Sequence, residues 1–437
     1  MAFASTGFLI FLLIGVIVYY LIPKRFQWIW LLILSYYFYL CSGVKTLGLI
    51  ITTTVTTFLG GIILERIEEG RSAYFKAHKN EMAAEEKKLY KNKTKKYKRL
   101  ILVLVLVINL GMLAVIKYYG FATENINALL SNVFHINVGL KRIDFLLPLG
   151  ISFYTFQSMG YIIDMYQGKY KADRNIFKFA LFVSYFPQIL QGPIGRYNRL
   201  AHQFFERHSF DLVRIQHGLQ FMAWGFFKKM VLADRAALVV TEVFRYVHLY
   251  DGATVLFGVL AYTLQLYADF SGGMDIVIGA SEMFGITLDQ NFRQPFFSNS
   301  ISDFWHRWHI TLGTWMKDYV FYPFSLSKAM NKFGKFTKKL FGTTVGRCLP
   351  ICVANLLIFF IVGVWHGAQW KYIAYGMYNG LLIAASNLFE PLYPKIFRAL
   401  HINPECRAWK LFRILRTFSL VVISFYFDVC ESLYAAL

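Results

Sequence analysis

The sequence contains few cysteines, and their spacing suggests no shared function. Five occur in 437 residues, with no C-x-x-C pair and no even framework: Cys41, Cys348, Cys352, Cys406 and Cys430. This pattern excludes a disulfide scaffold and a cysteine-type zinc site, so the cysteines are interpreted as small apolar packing residues. We expect no bound metal.

Charged residues are also scarce, at 16% of the chain, and acidic ones are the rarer kind, with 25 Asp and Glu against 46 Lys and Arg. Hydrophobic residues make up 57% and aromatic residues 18%. Several apolar runs of about 17 to 25 residues match the thickness of a bilayer. The net charge of +21 lies mostly between these runs, as the positive-inside rule expects, so we predict a lipid bilayer as partner and no nucleic acid.

The first apolar run, residues 6–22, lacks both features of a cleaved signal peptide. No basic region precedes it and no small-residue cleavage site follows it, so it is predicted to be a retained span. No repeat and no linker divides the sequence, which favours a single domain over residues 1–437. Because residues 420–437 are apolar to the last position, we expect the domain to be incomplete at its C-terminus.

Two basic segments orient the chain. Residues 65–99 hold twelve Lys or Arg and six Glu, a net charge of +6, and residues 328–339 hold a second lysine cluster. Both are predicted to be cytoplasmic. We interpret the first segment as a solvated surface helix in preference to a specific binding site.

The remaining apolar segments predict an all-α, polytopic protein with roughly ten or eleven membrane-embedded helices. Residues 177–198 are apolar but interrupted by two prolines and two glycines, so a re-entrant or kinked element is expected there. Arg196 lies just past this break, where its guanidinium would hold a phosphate or carbonyl group or extend to the lipid headgroups.

Two carboxylates lie within the apolar segment 253–284, Asp269 and Asp275. Carboxylates at membrane depth need partners. We expect Gly272 and Gly273 to unwind the helix between them. The pair would orient a histidine or an arginine, or alternatively would form a cation site or a proton relay.

Three histidines are candidates for catalysis. His366 lies in the almost entirely apolar residues 351–382, and an ionisable group at membrane depth is by default a functional candidate. A structural histidine joining two helices is the alternative. His306 and His309 lie in a segment, residues 299–319, that is predicted to be one helix opened by a capping box at Ser300. Trp305 and Trp308 share one face of that helix, interpreted as core or interface.

Five motifs together resemble the membrane-bound O-acyltransferases, and among them the bacterial alginate O-acetylase branch. They are Leu-Pro-Leu-Gly-Ile-Ser-Phe-Tyr-Thr-Phe-Gln at 147–157, Tyr-Phe-Pro-Gln and Gln-Gly-Pro-Ile at 185–194, Asp-Phe-Ser-Gly at 269–272, Ser-Asp-Phe-Trp-His-Arg-Trp-His at 302–309, and Val-Trp-His-Gly at 364–367. The sequence departs from the usual family pattern at His306, where arginine is common, and at Gly273 and Met274.

The resemblance implies a function and a set of site residues. It implies acyl transfer, most simply of an acetyl group, from a cytoplasmic thioester such as acetyl coenzyme A to hydroxyls of an extracytoplasmic cell-envelope polysaccharide. His366 and His309 would be catalytic, with no bound cofactor. The residues implied around the substrate or the histidines are Trp305, Trp308, Asp275, Asp269, Gln191, Arg196 and Trp365.

The resemblance also implies a multi-pass protein of the plasma membrane, whose helices surround a central tunnel, and an extracytoplasmic esterase-like partner. Two other functions stay open. One is D-alanyl transfer to teichoic acid from an aminoacyl carrier protein. The other, from a different class, is a proton-coupled transporter, which predicts paired broken helices in two related halves.

Overall fold

Helices make up nearly all of the chain that can be described. The computed structural model describes residues 5–79, 82–136, 139–143 and 145–436. These ranges contain no β-strand, only an isolated bridge between Phe292 and Trp308. The α-helices are α1 Thr6–Leu21, α2 Gln27–Leu40, α3 Leu47–Ala77, α4 Ala84–Asn132, α5 Ile151–Gln167, α6 Ile176–Ser184, α7 Phe186–Gln191, α8 Tyr197–Phe205, α9 Leu212–Phe226, α10 Asp234–Arg245, α11 Gly252–Glu282, α12 Ile301–Trp305, α13 Ile310–Met316, α14 Tyr322–Ser325, α15 Lys328–His366, α16 Trp370–Phe389, α17 Tyr393–Ala399, α18 Arg407–Val429 and α19 Leu433–Ala436.

Four helical segments of the described chain have the length and composition needed to cross a bilayer. They are Val44–Ala77, Ala84–Asn132, Gly252–Glu282 and Lys328–His366, the last of which has a break in the helical backbone at Gly342, where φ is +75°. The predicted all-helical membrane protein is therefore confirmed, while the number of ten or eleven embedded helices remains a prediction.

The first of two compact units comprises Met1–Ala223 and Asp275–Leu288. Its core is rich in aromatic rings, with Phe186 packed edge-on against Phe11 and Phe284 at centroid distances of 5.2 and 5.9 Å. Gly150 starts α5 with a φ of +65°, and a Cβ there would lie 1.7 Å from the carbonyl oxygen of Ile189. Glycine is required at this position by both the backbone conformation and the close approach.

The interrupted segment in this unit has the predicted form. α6 ends at Ser184, α7 ends at Gln191, and α8 begins at Tyr197. The residues Gly192, Pro193, Ile194 and Gly195 between the last two helices are buried. A straight spanning helix is therefore excluded, because proline and glycine end each short helix inside the protein.

The second unit comprises Trp224–Met274 and Asp289–Leu437. Its apolar core includes Trp308, Phe304, Phe359, Tyr375 and Phe425. These side chains come from α12, α15, α16, α18 and the turn after α12, so they join the second half of the chain around one cluster.

Two sequence predictions about helix boundaries in this unit are wrong. α11 is continuous from Gly252 to Glu282, so Gly272 and Gly273 do not unwind it. A Cβ at Gly272 would lie 2.8 Å from the carbonyl oxygen of Gly225, so this glycine allows two backbones to approach closely. The second is the single helix predicted over residues 299–319, because α12 ends at Trp305.

Candidate functional site

The chain turns sharply at His309. The predicted continuous helix over residues 299–319 is wrong, because α12 ends at Trp305 and His309 has a left-handed backbone, φ 47° and ψ 52°. The segment before α12 draws the chain off the helical path. Arg293 donates its backbone N–H to the carbonyl of Arg307, and Ile310 donates to that of Asn291, each at 3.0 Å. The capping box is nevertheless present, since the Ser300 hydroxyl accepts the N–H of Asp303 at 3.1 Å.

Asn291 fixes the orientation of the His309 ring. The backbone N–H and the hydroxyl of Thr311 both reach Asn291 Oδ1, at 2.9 and 3.0 Å. A backbone N–H only donates, so this atom is the amide oxygen. The amide Nδ2 therefore faces His309 Nδ1 at 3.2 Å, whereas Oδ1 is farther from Nδ1 at 3.4 Å.

This contact determines which ring nitrogen of His309 carries the proton. An amide N–H donating to Nδ1 requires Nδ1 to be unprotonated, so the neutral imidazole carries its proton on Nε2. His309 is only 2% exposed. Burial, together with the nearby His366, lowers the pKa of His309 to about 3, so the ring is neutral at pH 7.

The Nε2 atom of His309 is buried, and no residue of the described chain hydrogen-bonds to it. His309 lines a cavity of about 280 Å³ in the second unit. Most of the wall is apolar, with Leu312, Phe359 and Val362 among the lining residues, whereas His306 and Asn355 add polar groups. His309 thus lines an apolar cavity and carries a buried N–H donor that makes no protein hydrogen bond within the described ranges.

His366 is the last residue of α15. It is half-buried and lies one turn beyond the cavity-lining Val362, although it is not itself part of that lining. Its ring lies 5.5 Å from the ring of Tyr375 and 6.4 Å from that of Tyr372, between centroids. Two tyrosines of α16 therefore surround the imidazole.

Trp365 joins the two histidines. Its ring centroid is 5.7 Å from that of His309 and 5.1 Å from that of His366. On the other side of His309, the ring of Phe270 lies at 4.8 Å and nearly perpendicular. The structure thus brings His309, Trp365 and His366 into one aromatic cluster, although they come from two distant motifs.

Glycines allow α15 and α16 to pack closely beside this cluster. A Cβ at Gly363 would lie 2.5 Å from the carbonyl oxygen of Tyr372, and one at Gly376 would lie 2.2 Å from that of Phe359. A Cβ at Gly367 would lie 2.2 Å from the Tyr372 ring. The element that approaches the backbone closely at the two glycines around His366 is therefore α16.

The remaining tryptophans of the motif lie in different surroundings. Trp305 lines the cavity and donates its indole N–H to Asn379 Oδ1 at 3.3 Å. Trp308 is 3% exposed and stacks on Phe304 at 5.5 Å inside the apolar core. His306 is exposed, and its Nδ1 contacts the carbonyl oxygen of Ser302 at 2.6 Å.

The predicted polar residues do not all join the histidines. The Asp269 carboxylate contacts Lys229 at 2.5 Å, and Lys229 also contacts Asp234 at 3.0 Å. The partner of the Asp269 carboxylate is therefore a lysine. The next residue, Phe270, is the one that contacts His309.

Asp275, Gln191 and Arg196 belong to the first unit and are half-buried there. Gln191 is the last residue of α7, and Arg196 is the N-cap residue of α8. Their assignment to the substrate or to the histidines remains a prediction.

Asn291 and the two tyrosines of α16 are not among the site residues predicted from the sequence. Asn291 is 18 residues before His309, in a loop with no recognisable motif, and its role arises only from the bend at His309. The tyrosines had a weak signal, because Tyr372 and Tyr375 open the apolar run that follows Gly367. Among the described residues, no group of three or more His, Cys, Asp or Glu side chains is placed to hold a metal ion.

Comparison with known proteins identifies the family. The model of the membrane-bound O-acyltransferase family matches residues 171–338 and 339–422. A probable alginate O-acetylase of Pseudomonas syringae pv. tomato is 35% identical over 439 residues, covering 100% of this chain and 74% of the relative.

Two further relatives carry other names. A peptidoglycan O-acetyltransferase of Helicobacter pylori is 30% identical, and the alignment covers 100% of this chain and 76% of the relative's length. A teichoic acid D-alanyltransferase of Bacillus subtilis is 29% identical, and the alignment covers 64% of this chain and 67% of the relative's length. The expected family is confirmed: this chain belongs to the membrane-bound O-acyltransferases and is a membrane-bound acyltransferase.

Proposed function

We propose that this protein transfers an acetyl group from a cytoplasmic thioester, acetyl coenzyme A, to hydroxyls of an extracytoplasmic cell-envelope polysaccharide. The names of its relatives support an acetyl group and a polysaccharide acceptor. The alginate and peptidoglycan acetylases align with 100% of this chain, whereas the D-alanyltransferase aligns with 64%.

One observation carries the assignment of roles within the site. His309 lines an apolar cavity and holds a buried Nε2–H with no hydrogen-bond partner in the described chain, and the Trp365 ring contacts the rings of both His309 and His366. Acyl transfer to a hydroxyl needs a base for the hydroxyl proton and a donor for the oxyanion that develops. The tautomer of His309 suits the donor, which leaves the role of base to His366.

In the direct route, the acyl group passes from the thioester to the hydroxyl without being attached to the protein. The acceptor oxygen attacks the thioester carbonyl while His366 removes the hydroxyl proton, and His309 donates a hydrogen bond to the developing oxyanion. Collapse of the tetrahedral intermediate breaks the carbon–sulfur bond. The proton held by His366 passes to the departing thiolate, giving the ester and free coenzyme A.

A second route gives the same products through an acyl-histidine. His366 attacks the thioester and expels the thiolate, which takes the N–H proton of the imidazole. The hydroxyl then attacks the acyl-histidine, and its proton returns to the ring as the acyl group leaves. Mass spectrometry of protein incubated with the donor alone distinguishes the two routes, because only the second adds an acetyl group to His366.

The wider organisation belongs to the same proposal. Residues 1–437 form one O-acyltransferase domain of the plasma membrane, with ten or eleven embedded helices around a central tunnel that connects a cytoplasmic donor to an external acceptor. Trp305 and Trp365 shape the acyl-binding part of that tunnel. An esterase-like protein outside the membrane is the expected partner.

The test uses purified protein in detergent with radiolabelled acetyl coenzyme A and a soluble polysaccharide acceptor. His366→Ala should abolish transfer but retain donor binding, because the loss falls on the transition state. His309→Ala should lower kcat by about 10² or more, the usual effect of removing a positioned acid–base or donor group.

His306→Arg is the matched control within the same motif, because it restores the residue common in the family, and the exposed His306 ring, although it lines the cavity, hydrogen-bonds to the backbone carbonyl of Ser302. It should retain activity. Unchanged turnover in His366→Ala would contradict the assignment of the base. Transfer from an aminoacyl carrier protein, with none from acetyl coenzyme A, would support the alternative of D-alanyl transfer.

A further inference from the structure

A second cavity, of about 260 Å³, lies in the first unit and is lined mostly by positive side chains. Its lining residues are Arg71 from α3, Lys91, Lys95 and Lys98 from α4, and Tyr166 from α5. The acyl-transfer mechanism uses none of them. The sequence predicts a solvated surface helix for this basic segment, whereas one face of it borders a half-open cavity.

The three lysines lie on the same face of α4. Their spacing of four and three residues places them one above another along the helix. Like charges at this spacing destabilise a helix. The arrangement therefore costs stability unless negative charge lies close by.

The described chain supplies one carboxylate to these cations. Glu68 of α3 contacts Arg71, and it contacts Lys98 at 3.0 Å. Lys91 and Lys95 make no ion pair or hydrogen bond with the residues that the structure describes. Four cationic side chains and one carboxylate leave an excess positive charge of three around the cavity.

Two of the side chains that line this cavity are held in place by contacts within the chain. The Lys98 side chain is only 12% exposed, and its Nζ lies 5.8 Å from the centre of the Tyr166 ring. Glu68 holds Arg71 and Lys98 in place, so these two groups are preorganised. Lys91 and Lys95 are exposed and can move toward a bound group.

The position of the cavity indicates what it can bind. In α3 the apolar residues end at Leu64, and in α4 they begin at Leu100, so the cavity lies at the polar ends of two membrane-spanning helices. Basic pockets at this level on the cytoplasmic side suit phosphate groups of anionic lipids. We propose that this cavity is a binding site for a phosphate group at the cytoplasmic membrane surface.

Two sources can deliver that phosphate, a phospholipid headgroup and a soluble phosphate. To distinguish them, the thermal stability of the full chain in neutral detergent is measured with added phosphatidylglycerol, phosphatidylcholine or inorganic phosphate. Phosphatidylglycerol should raise the melting temperature of the wild type more than phosphatidylcholine does. A response to inorganic phosphate alone would support the site and assign it to soluble phosphates.

The double variant Lys91→Gln/Lys95→Gln tests the site itself. It should need about thirtyfold more phosphatidylglycerol for the same stabilisation, since each of the two basic residues near an anionic surface contributes on the order of 1 kcal/mol. Without any anion it should be at least as stable as the wild type, because like charges are removed.

The matched control is Lys93→Gln/Lys96→Gln, which removes the same charge from the opposite face of α4. Both of these lysines are exposed, and neither lines the cavity. An unchanged phosphatidylglycerol response in the control, with a weakened one in Lys91→Gln/Lys95→Gln, would support the proposal. Equal responses of the two double variants, or no response of the wild type to any of the anions, would overturn it.

Discussion

At the scale of single residues, the role of His309 depends on a hydrogen bond to a residue that carries no chemistry of its own. Asn291 is 1% exposed, and it gives its amide nitrogen to His309 and its amide oxygen to Thr311. Because the oxygen is held by a backbone N–H, the amide cannot rotate without losing that bond. Asn291 is thus a positioning residue in the proposed mechanism.

We predict that Asn291→Asp changes the pH dependence of the reaction. A carboxylate accepts a proton from Nδ1, which leaves Nε2 without one, and its negative charge raises the pKa of His309 from its low value of about 3. At pH 7 to 8, kcat should fall by about 10² to 10³, the effect of losing one oxyanion donor. KM should change little.

The direction of the pH effect separates positioning from general damage. As pH falls, the His309 ring of Asn291→Asp gains a second proton, so Nε2 regains its hydrogen and part of kcat returns. Asn291→Ala lacks the carboxylate and should lose activity without recovering at low pH. Parallel pH profiles for the two variants would contradict the assigned tautomer.

Sequence could identify the histidines but not their partner. An imidazole within an apolar run is conspicuous, so His366 was singled out by its surroundings, whereas His309 was chosen over His306 only through the family resemblance. Asn291 acts through the backbone path between Asn291 and Ile310, where two main-chain hydrogen bonds replace helical ones. No local pattern predicts that path, since a capping box followed by apolar residues equally favours a continuous helix.

At the scale of helices, a glycine in an apolar segment can either break the helix or allow two backbones to approach closely. The sequence does not distinguish these two cases. The pair at Gly272 and Gly273 was expected to break α11, and the structure has close packing there instead. Within the broken segment, Gly192 and Gly195 lie near prolines, and there the prediction of a break is confirmed. Proline removes a backbone donor, whereas glycine alone only permits a bend.

The contact between α15 and α16 gives a prediction at this scale. Gly376→Ala places a methyl group 2.2 Å from the carbonyl oxygen of Phe359. The two helices must separate, so the free energy of unfolding should fall by about 1 to 3 kcal/mol, the usual cost of overpacking. Activity should be reduced even where the variant is still folded. The reason is that His366 is the last residue of α15 and that Tyr375, whose ring contacts that of His366, immediately precedes Gly376.

Gly111→Ala is the control, measured by thermal unfolding in the same detergent. It lies inside α4, and a Cβ there would meet no atom within 4 Å. Alanine in a helix interior should stabilise the protein slightly or leave it unchanged. Equal melting temperatures for Gly376→Ala and the wild type would show that the two helices separate without cost.

At the scale of the whole molecule, charge carries most of the information about orientation. The two basic segments predicted from sequence lie at the polar ends of α4 and α15, two of the helices long enough to span a bilayer. Both therefore have a strongly basic N-terminal part followed by an apolar part, and in α15 the two parts are separated by the break at Gly342. The positive-inside rule places both N-terminal parts in the cytoplasm.

This orientation predicts the labelling of two single cysteines, Lys87→Cys and Lys335→Cys, in a chain whose five native cysteines are replaced by alanine. Both lysines are exposed, so protection from an impermeant thiol reagent would reflect the membrane and not burial in the protein. Neither cysteine should react in intact cells, and both should react after permeabilisation. Reaction of either one from outside would reverse the orientation of its helix. Reaction at position 87 would also move the cavity at Lys91 and Lys95 away from the leaflet whose anionic headgroups it is proposed to bind.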